Sequence, residues 1–514
     1  MRYLRGMEIP GHTTARSPWR LALGPALAGV VLLLSPGDDP LVARMAAIAA
    51  WMACWWISEA VPIAVTALLP LVLIPVSRIS PVGDVAVSYG RSTIFLFLGG
   101  FLIALSLEVS GLHRRVALLI VRRVGSRPAR LVLGFMLATW ALSMWISNTS
   151  TTMLMLPIVL SVLATAREQG GDATQHKQLA VAILLGVAYS ANMGGMATLV
   201  GTPPNLAFSR LFVQLFPEAP AVSFLQWMLV ALPFSIVFLL SGWWLLTRVV
   251  FRLPQGELMG GRATIEGLIA GLGPVRRDER VTGLVFGATA LLWMTSAGLD
   301  LGPVSLTGWR DALGLTGLVD DAVVAVAMAI LLFVLPSADR PGEALLEWRL
   351  TRDLPWGMLL LFGGGFALAA GFKDSGLSQW AGSRFEVLGE VSPWLVVALV
   401  ALLLTFLTEL TSNIATAEMM LPILATAATT LGMDPRALMI PATLSASCAF
   451  MMPVATPPAA IVYGSGQVPI RQMVRAGILF NFLGVALVMA AVAALAGPVL
   501  GVDVDVLPAW AEGP

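Results

Sequence analysis

The sequence predicts an all-α polytopic membrane protein with an inverted-topology repeat, about eleven transmembrane helices and two re-entrant helical hairpins. Three observations predict it. The 514 residues are 57% hydrophobic and 12% charged, where a soluble chain holds about twice that charged fraction. Apolar runs of spanning length recur, without the short alternating segments of a β-barrel. Two halves of the chain also match at a constant spacing of 265 residues. At that spacing Gly99-Gly100-Phe101 pairs with Gly364-Gly365-Phe366, and Ser110-Gly111-Leu112 with Ser375-Gly376-Leu377. Ser143 pairs with Thr408, Asn148 with Asn413 and Pro157 with Pro422.

Hydropathy and turn punctuation place full spans at 20–36, 41–58, 61–77, 93–112, 178–215, 224–249, 281–298, 320–336, 355–376, 435–463 and 476–498. The first follows a basic N-terminus in the manner of a signal peptide. Its "SPGDDP" end offers no small-residue cleavage site, so a retained helix is expected. Segments 131–166 and 394–428 are long enough for helical pairs but polar at their centres. Each is expected to enter and leave on one side, with its irregular backbone buried in protein or lining a watery cavity.

Charge orients these spans. Arg114, Arg115, Arg122, Arg123, Arg127 and Arg130 follow the fourth span with no acidic residue among them, which places that loop in the cytoplasm. The N-terminus (Arg2, Arg5, Arg16, Arg20) and the loops with Arg252, Arg262, Arg276, Arg277, Arg280 and with Arg471, Arg475 join it there. The acidic tail "VDVDVLPAWAEGP" falls outside, and an odd number of spans satisfies every loop. In the second half the corresponding loop, 378–395, sets Arg384 against Glu386 and Glu390. The two copies therefore face opposite sides, the architecture of secondary transporters.

Other classes are disfavoured. A net charge of +1 gives no electrostatic case for nucleic acid. Cys54 and Cys448 lie in apolar runs and read as buried free thiols, while His12, His113 and His176 form no metal-ligand spacing. No phosphate-binding G-x-x-x-x-G-K-[ST] loop is present, so the chain brings no ATPase. With no H-E-x-x-H or G-x-S-x-G, an intramembrane enzyme is not expected either.

The chemistry concentrates in "SMWISNTSTTMLMLP" (143–157) and "TELTSNIATAEMMLP" (408–422). Ser143 and Ser147, like Thr408 and Ser412, are four apart and would stack their hydroxyls on one helical face before Asn148 or Asn413. A helix that breaks at the asparagine exposes carbonyls from its last turn. Hydroxyl, amide and carbonyl oxygens together suit a hard cation such as Na⁺. The restarting helix offers N–H groups and a positive dipole end to an anion. "LVGTPPNLA" (199–207) and "PVATPPAAI" (453–461) each break a span with Pro-Pro, freeing the carbonyls of Gly201 and Ala455. Single hydroxyls in membrane helices commonly serve packing, but matched motifs in an inverted repeat point to a site. Glu409 and Glu418 flank the second motif, where either could be a coupling carboxylate, and a structural partner in the hairpin is the preferred reading for both. Glu59 reads as an interfacial anchor or functional group, and Trp55-Trp56 as interface belt or packing.

At these motifs the chain resembles the divalent anion:sodium symporter family, carriers of dicarboxylates, citrate and sulfate. Ser147-Asn148-Thr149 and Ser412-Asn413-Ile414 look like its two S-N-T signatures. Gly201-Thr202-Pro203-Pro204 and Ala455-Thr456-Pro457-Pro458 look like its unwound loops, and "WWISEAVP" and "VYGSGQV" match its style. The resemblance implies one Na⁺ at Ser143, Ser147, Asn148 and Gly201, and another at Thr408, Ser412, Asn413 and Ala455. It places the anion against Asn148, Thr149, Thr202, Asn413, Thr456 and Pro457.

The resemblance also implies a homodimer whose protomers each pair a scaffold with a mobile transport part. The scaffold would begin with residues 1–92. Residues 93–223 would form the first transport part, with hairpin 131–166 and broken helix 178–215. Linking and second scaffold helices would occupy 224–354. The second transport part would be 355–475, with hairpin 394–428 and broken helix 435–463, leaving 476–514 for the last helix and an extracytoplasmic tail. Two positions depart from the pattern: Ile414 stands where dicarboxylate carriers commonly have threonine, and Ala459 where asparagine often follows Pro-Pro. Both leave the second half-site less polar, while Asn148-Thr149 with Asn205 keeps the first complete.

The expected function is import of a C4-dicarboxylate (succinate, malate or fumarate) coupled to co-transported Na⁺ by an elevator movement. The protein would be multi-pass in the inner (plasma) membrane, N-terminus cytoplasmic. A Na⁺-independent dicarboxylate exchanger, or a Na⁺-coupled carrier of citrate or sulfate, is the alternative on the same scaffold.

Overall fold

A computed structural model describes residues 18–34, 39–125, 127–168, 173–253, 261–300, 305–385 and 391–511. Arg2, Arg5, His12, Arg16, Glu386 and Glu390 lie outside the described residues. Regular structure within them is helical, apart from a ladder of two residues per strand (Leu299–Asp300 with Ser305–Leu306) and one bridge, Pro336 to Ala344.

Seven described helices are long and apolar enough to cross a membrane: Pro40–Ser58, Val82–Ser110, Asn148–Thr165, Thr174–Met196, Phe224–Val250, Trp356–Asp374 and Ile470–Leu500. Shorter apolar helices occupy Pro18–Leu34, Ile63–Val76, Pro128–Ser143, Asp321–Val334 and Pro393–Leu407. With Arg277–Met294 and the segments Pro203–Leu215, Pro435–Ala446 and Pro457–Gly464, they cover every predicted span. The span predicted at 61–77 is itself interrupted, as Ile63–Thr66 and Leu69–Val76.

The chain divides into two compact units, one of residues up to Tyr89 with Leu360–Trp380, the other of Gly90–Leu359 with the chain from Ala381 onward. In the first, Pro18–Leu34 packs on Pro40–Ser58, whose start is capped by Asp39 accepting from Leu41 N at 2.8 Å. Trp55 and Trp56 donate their indole N–H groups to the carbonyls of Leu21 (3.2 Å) and Ile63 (3.3 Å), so the pair serves packing. Glu59 is exposed and ends the second helix with a left-handed φ of 45°.

The repeated Gly-Gly-Phe now has a cause. A methyl group on Gly364 would lie 2.5 Å from the Ala67 carbonyl within the first unit, and one on Gly99 would lie 2.6 Å from Ala325 within the second. Each glycine lets a helix pass flush against a neighbour. The repeated Ser-Gly-Leu is a helix stop: Gly111 and Gly376 take φ of 79° and 74°. The serine hydroxyl before each accepts the leucine N–H after it, at 3.4 Å for Leu112 and 3.3 Å for Leu377.

Two stretches read as loops are helices instead, Leu112–Val124 and Leu377–Phe385. In "LHRRVALLIVRRV" the apolar residues recur at helical spacing, and Ala117, Leu118 and Val121 are buried. Arg115 is buried with them, bonded to Glu279 at 2.9 Å and to the Gly273 carbonyl at 2.9 Å.

Within the second unit the helix Thr174–Met196 has 100% of its apolar window buried, against 33% for Ile470–Leu500. The stretch that leads into this break, residues 179–196, is thus enclosed by protein, where irregular backbone is tolerable. Around it the repeats interlock: Pro203–Leu215 packs on Asn413–Thr430 of the other repeat, and Pro457–Gly464 on Asn148–Glu168.

Candidate functional site

The first half-site forms where Pro128–Ser143 stops. Ile146 N closes the turn on the Leu142 carbonyl at 2.9 Å, and a new helix starts at Asn148. Ser143 Oγ, fully buried, donates to Asn148 Oδ1 at 2.6 Å. Asn148 Nδ2 donates to Asn192 Oδ1 at 3.4 Å. Nearby, Ala173–Met196 ends and the chain runs non-helically to Thr202. Asn205 Nδ2 gathers the loose carbonyls of Gly195 (3.1 Å), Met196 (3.1 Å) and Thr198 (2.7 Å). Thr198 Oγ1 ties the loop to the hairpin through the Met144 carbonyl at 2.6 Å.

Gly195 is the hub. A methyl group there would lie 2.7 Å from Asn148 Oδ1 and 3.1 Å from the Gly201 carbonyl oxygen. On Gly201 it would lie 2.5 Å from the Gly195 carbonyl oxygen and 3.0 Å from that of Met144. The Asn148 amide oxygen and the carbonyls of Gly195, Gly201 and Met144 therefore lie close around these two glycines, a set of oxygens of the kind a hard cation takes. Gly195→Ala is expected to raise the half-saturating Na⁺ concentration of transport at least about tenfold, since the methyl group would push against Asn148 Oδ1 and the Gly201 carbonyl and even a small displacement of positioned groups is costly; a sodium titration of uptake checks it.

The second half-site repeats the motif with different supports. Thr408 Oγ1 shares its proton between Asn413 Oδ1 (2.7 Å) and the Ala446 carbonyl (2.8 Å). Pro435–Ala446 ends there, and Pro457–Gly464 follows the break. Ala459 lacks the amide of Asn205, and Glu409 fastens the break from the other side. It accepts from Phe450 N (2.7 Å), Met451 N (2.8 Å), Met452 N (3.0 Å) and Asn481 Nδ2 (2.8 Å). Glu418 pairs with Arg210, both side chains at 0% exposure. Both carboxylates are thus engaged by protein partners.

The remaining residues spread around these cores. Ser147 is exposed, and its Oγ accepts from Ser150 N at 3.2 Å. The expected stacking with Ser143 fails because the helix ends at Ser143, so the four-residue spacing no longer follows a helical face. Pro393–Leu407 likewise ends before Thr408, and Ser412 flanks the new helix without a side-chain cap bond. Thr149, Asn413 and Ile414 are half-buried, Ala455 is buried and Pro457 is exposed. Thr202 and Thr456, both buried, head Pro203–Leu215 and Pro457–Gly464, and Thr456 Oγ1 accepts from Ala459 N at 3.3 Å. The sequence reading missed Asn192, Thr198, Gly195 and Asn481. A lone amide in the apolar "VAYSANMGGM" was the available signal for Asn192.

Paired hairpins and broken helices in an inverted repeat define a secondary transporter. The chain belongs to the sodium:sulfate symporter family, whose transmembrane-region model matches residues 17–502. It is 39% identical over 490 residues to the sodium-dependent dicarboxylate transporter SdcS of Staphylococcus saprophyticus, covering 94% of this chain and 92% of that one. SdcS of Staphylococcus aureus strain MRSA252 is 40% identical over 491 residues, with the same shares covered. A crystal structure of the Alcanivorax borkumensis YdaH transporter shares the fold, with a TM-score of 0.54 at 12% identity, covering 94% of this chain and 98% of that one.

Proposed function

We propose that the protein imports a C4-dicarboxylate such as succinate, malate or fumarate, driven by co-transported Na⁺. The observation that carries this reading is the matched pair Ser143–Asn148 and Thr408–Asn413, each hydroxyl on its asparagine oxygen at the mouth of a broken helix. One Na⁺ sits at Ser143, Ser147, Asn148 and Gly201, and a second at Thr408, Ser412, Asn413 and Ala455. The helices starting at Asn148 and Asn413 present their positive ends to the two carboxylates of one dianion. Asn148, Thr149, Thr202, Asn413, Thr456 and Pro457 line its seat. Binding Na⁺ first lowers the cost of bringing a dianion into a desolvated site. The relatives' sodium-dependent dicarboxylate transport supports both halves of the reading.

The protein works as a homodimer in the plasma membrane by an elevator movement, with the N-terminus cytoplasmic and the C-terminus outside. The arginine-rich stretches support that orientation. Ile414 and Ala459, apolar in the second half-site, favour a second reading: exchange without Na⁺, or carriage of citrate or sulfate.

Uptake of radiolabelled succinate into proteoliposomes tests it, with an inward Na⁺ gradient and with K⁺ in its place. The expected result is uptake with Na⁺ alone. Uptake that ignores Na⁺ but needs internal dicarboxylate makes the protein an exchanger, and no succinate uptake moves the cargo to citrate or sulfate.

A further inference from the structure

We propose that Asn192 is a positioning residue that couples the two half-sites, transmitting sodium occupancy of the first to the break of the second. The proposal rests on the sodium-coupled reading of the site. Asn192 lies on the enclosed helix Ala173–Met196 and is 2% exposed. A buried amide is costly unless both ends are bonded. Its Oδ1 receives Asn148 Nδ2 at 3.4 Å, and its Nδ2 donates to the Ala449 carbonyl at 3.2 Å.

The sense of this chain is dictated from one end. A backbone carbonyl can only accept, so Asn192 must turn its NH₂ to Ala449 and its oxygen to Asn148. Asn148 must then turn its own NH₂ to Asn192. That leaves Asn148 Oδ1 facing Ser143 and the converging oxygens around Gly195, the orientation a cation requires. Charge at Oδ1 polarises the Asn148 amide and strengthens each donation down the line.

Beyond Ala449 the path continues without a gap. The next three residues hold Glu409 through their N–H groups, and Glu409 adjoins Thr408, which bonds Asn413. The link is made once. At the spacing that relates Gly201 to Ala455, the counterpart of Asn192 is Ala446, whose side chain carries no polar group. Asn148 is therefore held by a side chain that reaches across the repeat, and among the described residues the matching position, Ala446, offers Asn413 no such side chain.

Binding of ²²Na⁺ to the purified full-length protein, titrated without dicarboxylate, tests the coupling, with the unaltered protein expected to bind sigmoidally. Asn192→Ala is expected to raise the half-saturating Na⁺ concentration about five- to tenfold, from the loss of one buried hydrogen-bonded link, and to bring the slope to that of independent sites. Asn192→Asp, titrated at alkaline pH where its carboxyl is ionised, keeps an acceptor for Asn148 but turns oxygen against the Ala449 carbonyl, whereas its protonated form could still donate there. Its half-saturation should not rise, yet its slope should fall in the same way. A merely structural residue would not separate midpoint from slope.

A wild-type slope in Asn192→Ala overturns the proposal; should that variant fail to fold, a wild-type slope in Asn192→Asp does so. If the unaltered protein binds Na⁺ sigmoidally but carries no dicarboxylate, only the cargo reading falls. Absence of ²²Na⁺ binding by the unaltered protein overturns both.

Discussion

Asn148→Ala and Asn413→Ala are each expected to abolish sodium-driven uptake while leaving a folded protein. Each asparagine accepts a buried hydroxyl, from Ser143 at 2.6 Å or Thr408 at 2.7 Å, and each is the first residue of its helix. Truncation removes an oxygen from the proposed cation seat and an amide donor beside the helix end proposed to face the anion. Losing a polar contact of each kind costs about 3 kcal/mol, which is roughly a hundredfold in affinity. Neither change opens a helix interior, so the folded state survives. The two variants differ in one respect. Asn148→Ala also strands Asn192 Oδ1, so its loss of Na⁺ affinity exceeds that of Asn413→Ala. Proteoliposome uptake, with size exclusion as the folding control, checks both; uptake at the native rate in either variant removes that asparagine from the site.

Much of this arrangement was legible in the sequence because duplication amplifies weak signals. A single serine in a membrane helix says little, whereas Ser143 and Thr408 at matched places before Asn148 and Asn413 say a great deal. The Pro-Pro dipeptides marked the breaks, since two missing N–H groups cannot be disguised in a helix. What escaped was asymmetric or non-local. Glu409 holds N–H groups about forty residues away, and no spacing rule connects a carboxylate to a distant loop. Arg115 and Arg276 read as topology markers only, yet Arg115 is buried against Glu279, and Arg276 bonds Asp339 at 2.9 Å. The expected stacking of Ser147 on Ser143 fails because the helix stops at Ser143, so the four-residue spacing does not follow a helical face. The fold follows from periodicity and repetition, while the site's second layer depends on which side chains tertiary packing brings to a broken backbone.

That second layer includes the largest expected effect on stability. Arg210→Met leaves Glu418 buried without the guanidinium that pairs with it, and Glu418→Gln takes from Arg210 the carboxylate of that pair. Both side chains are at 0% exposure, and Glu418 Oε1 has no hydrogen-bond partner among the described residues, so the carboxylate relies on Arg210. Removing one member of such a pair costs about 3–5 kcal/mol, a large share of the roughly 5–15 kcal/mol that holds a folded domain together. Each single variant is therefore expected to lose most of its folded yield and to melt well below the native protein. The double variant Arg210→Met/Glu418→Leu removes both charges together and is expected to recover thermal stability, because a buried pair contributes little beyond an apolar replacement of similar size.

The pair's location gives it a bearing on transport as well. It joins Pro203–Leu215, headed by Thr202, to Asn413–Thr430, headed by Asn413, and so fixes the spacing of two predicted anion contacts from different repeats. At the corresponding positions of the other crossing stand Gly464 and Met153, so that contact has no ion pair at the same place. A double variant regaining both stability and succinate KM would show apolar packing holds that spacing equally well. The expected outcome is recovered stability with KM raised several-fold, because an apolar contact lacks the fixed geometry of a guanidinium on a carboxylate. Thermal melts of Arg210→Met and the double variant decide the first point, and a native melting temperature in Arg210→Met alone would refute it.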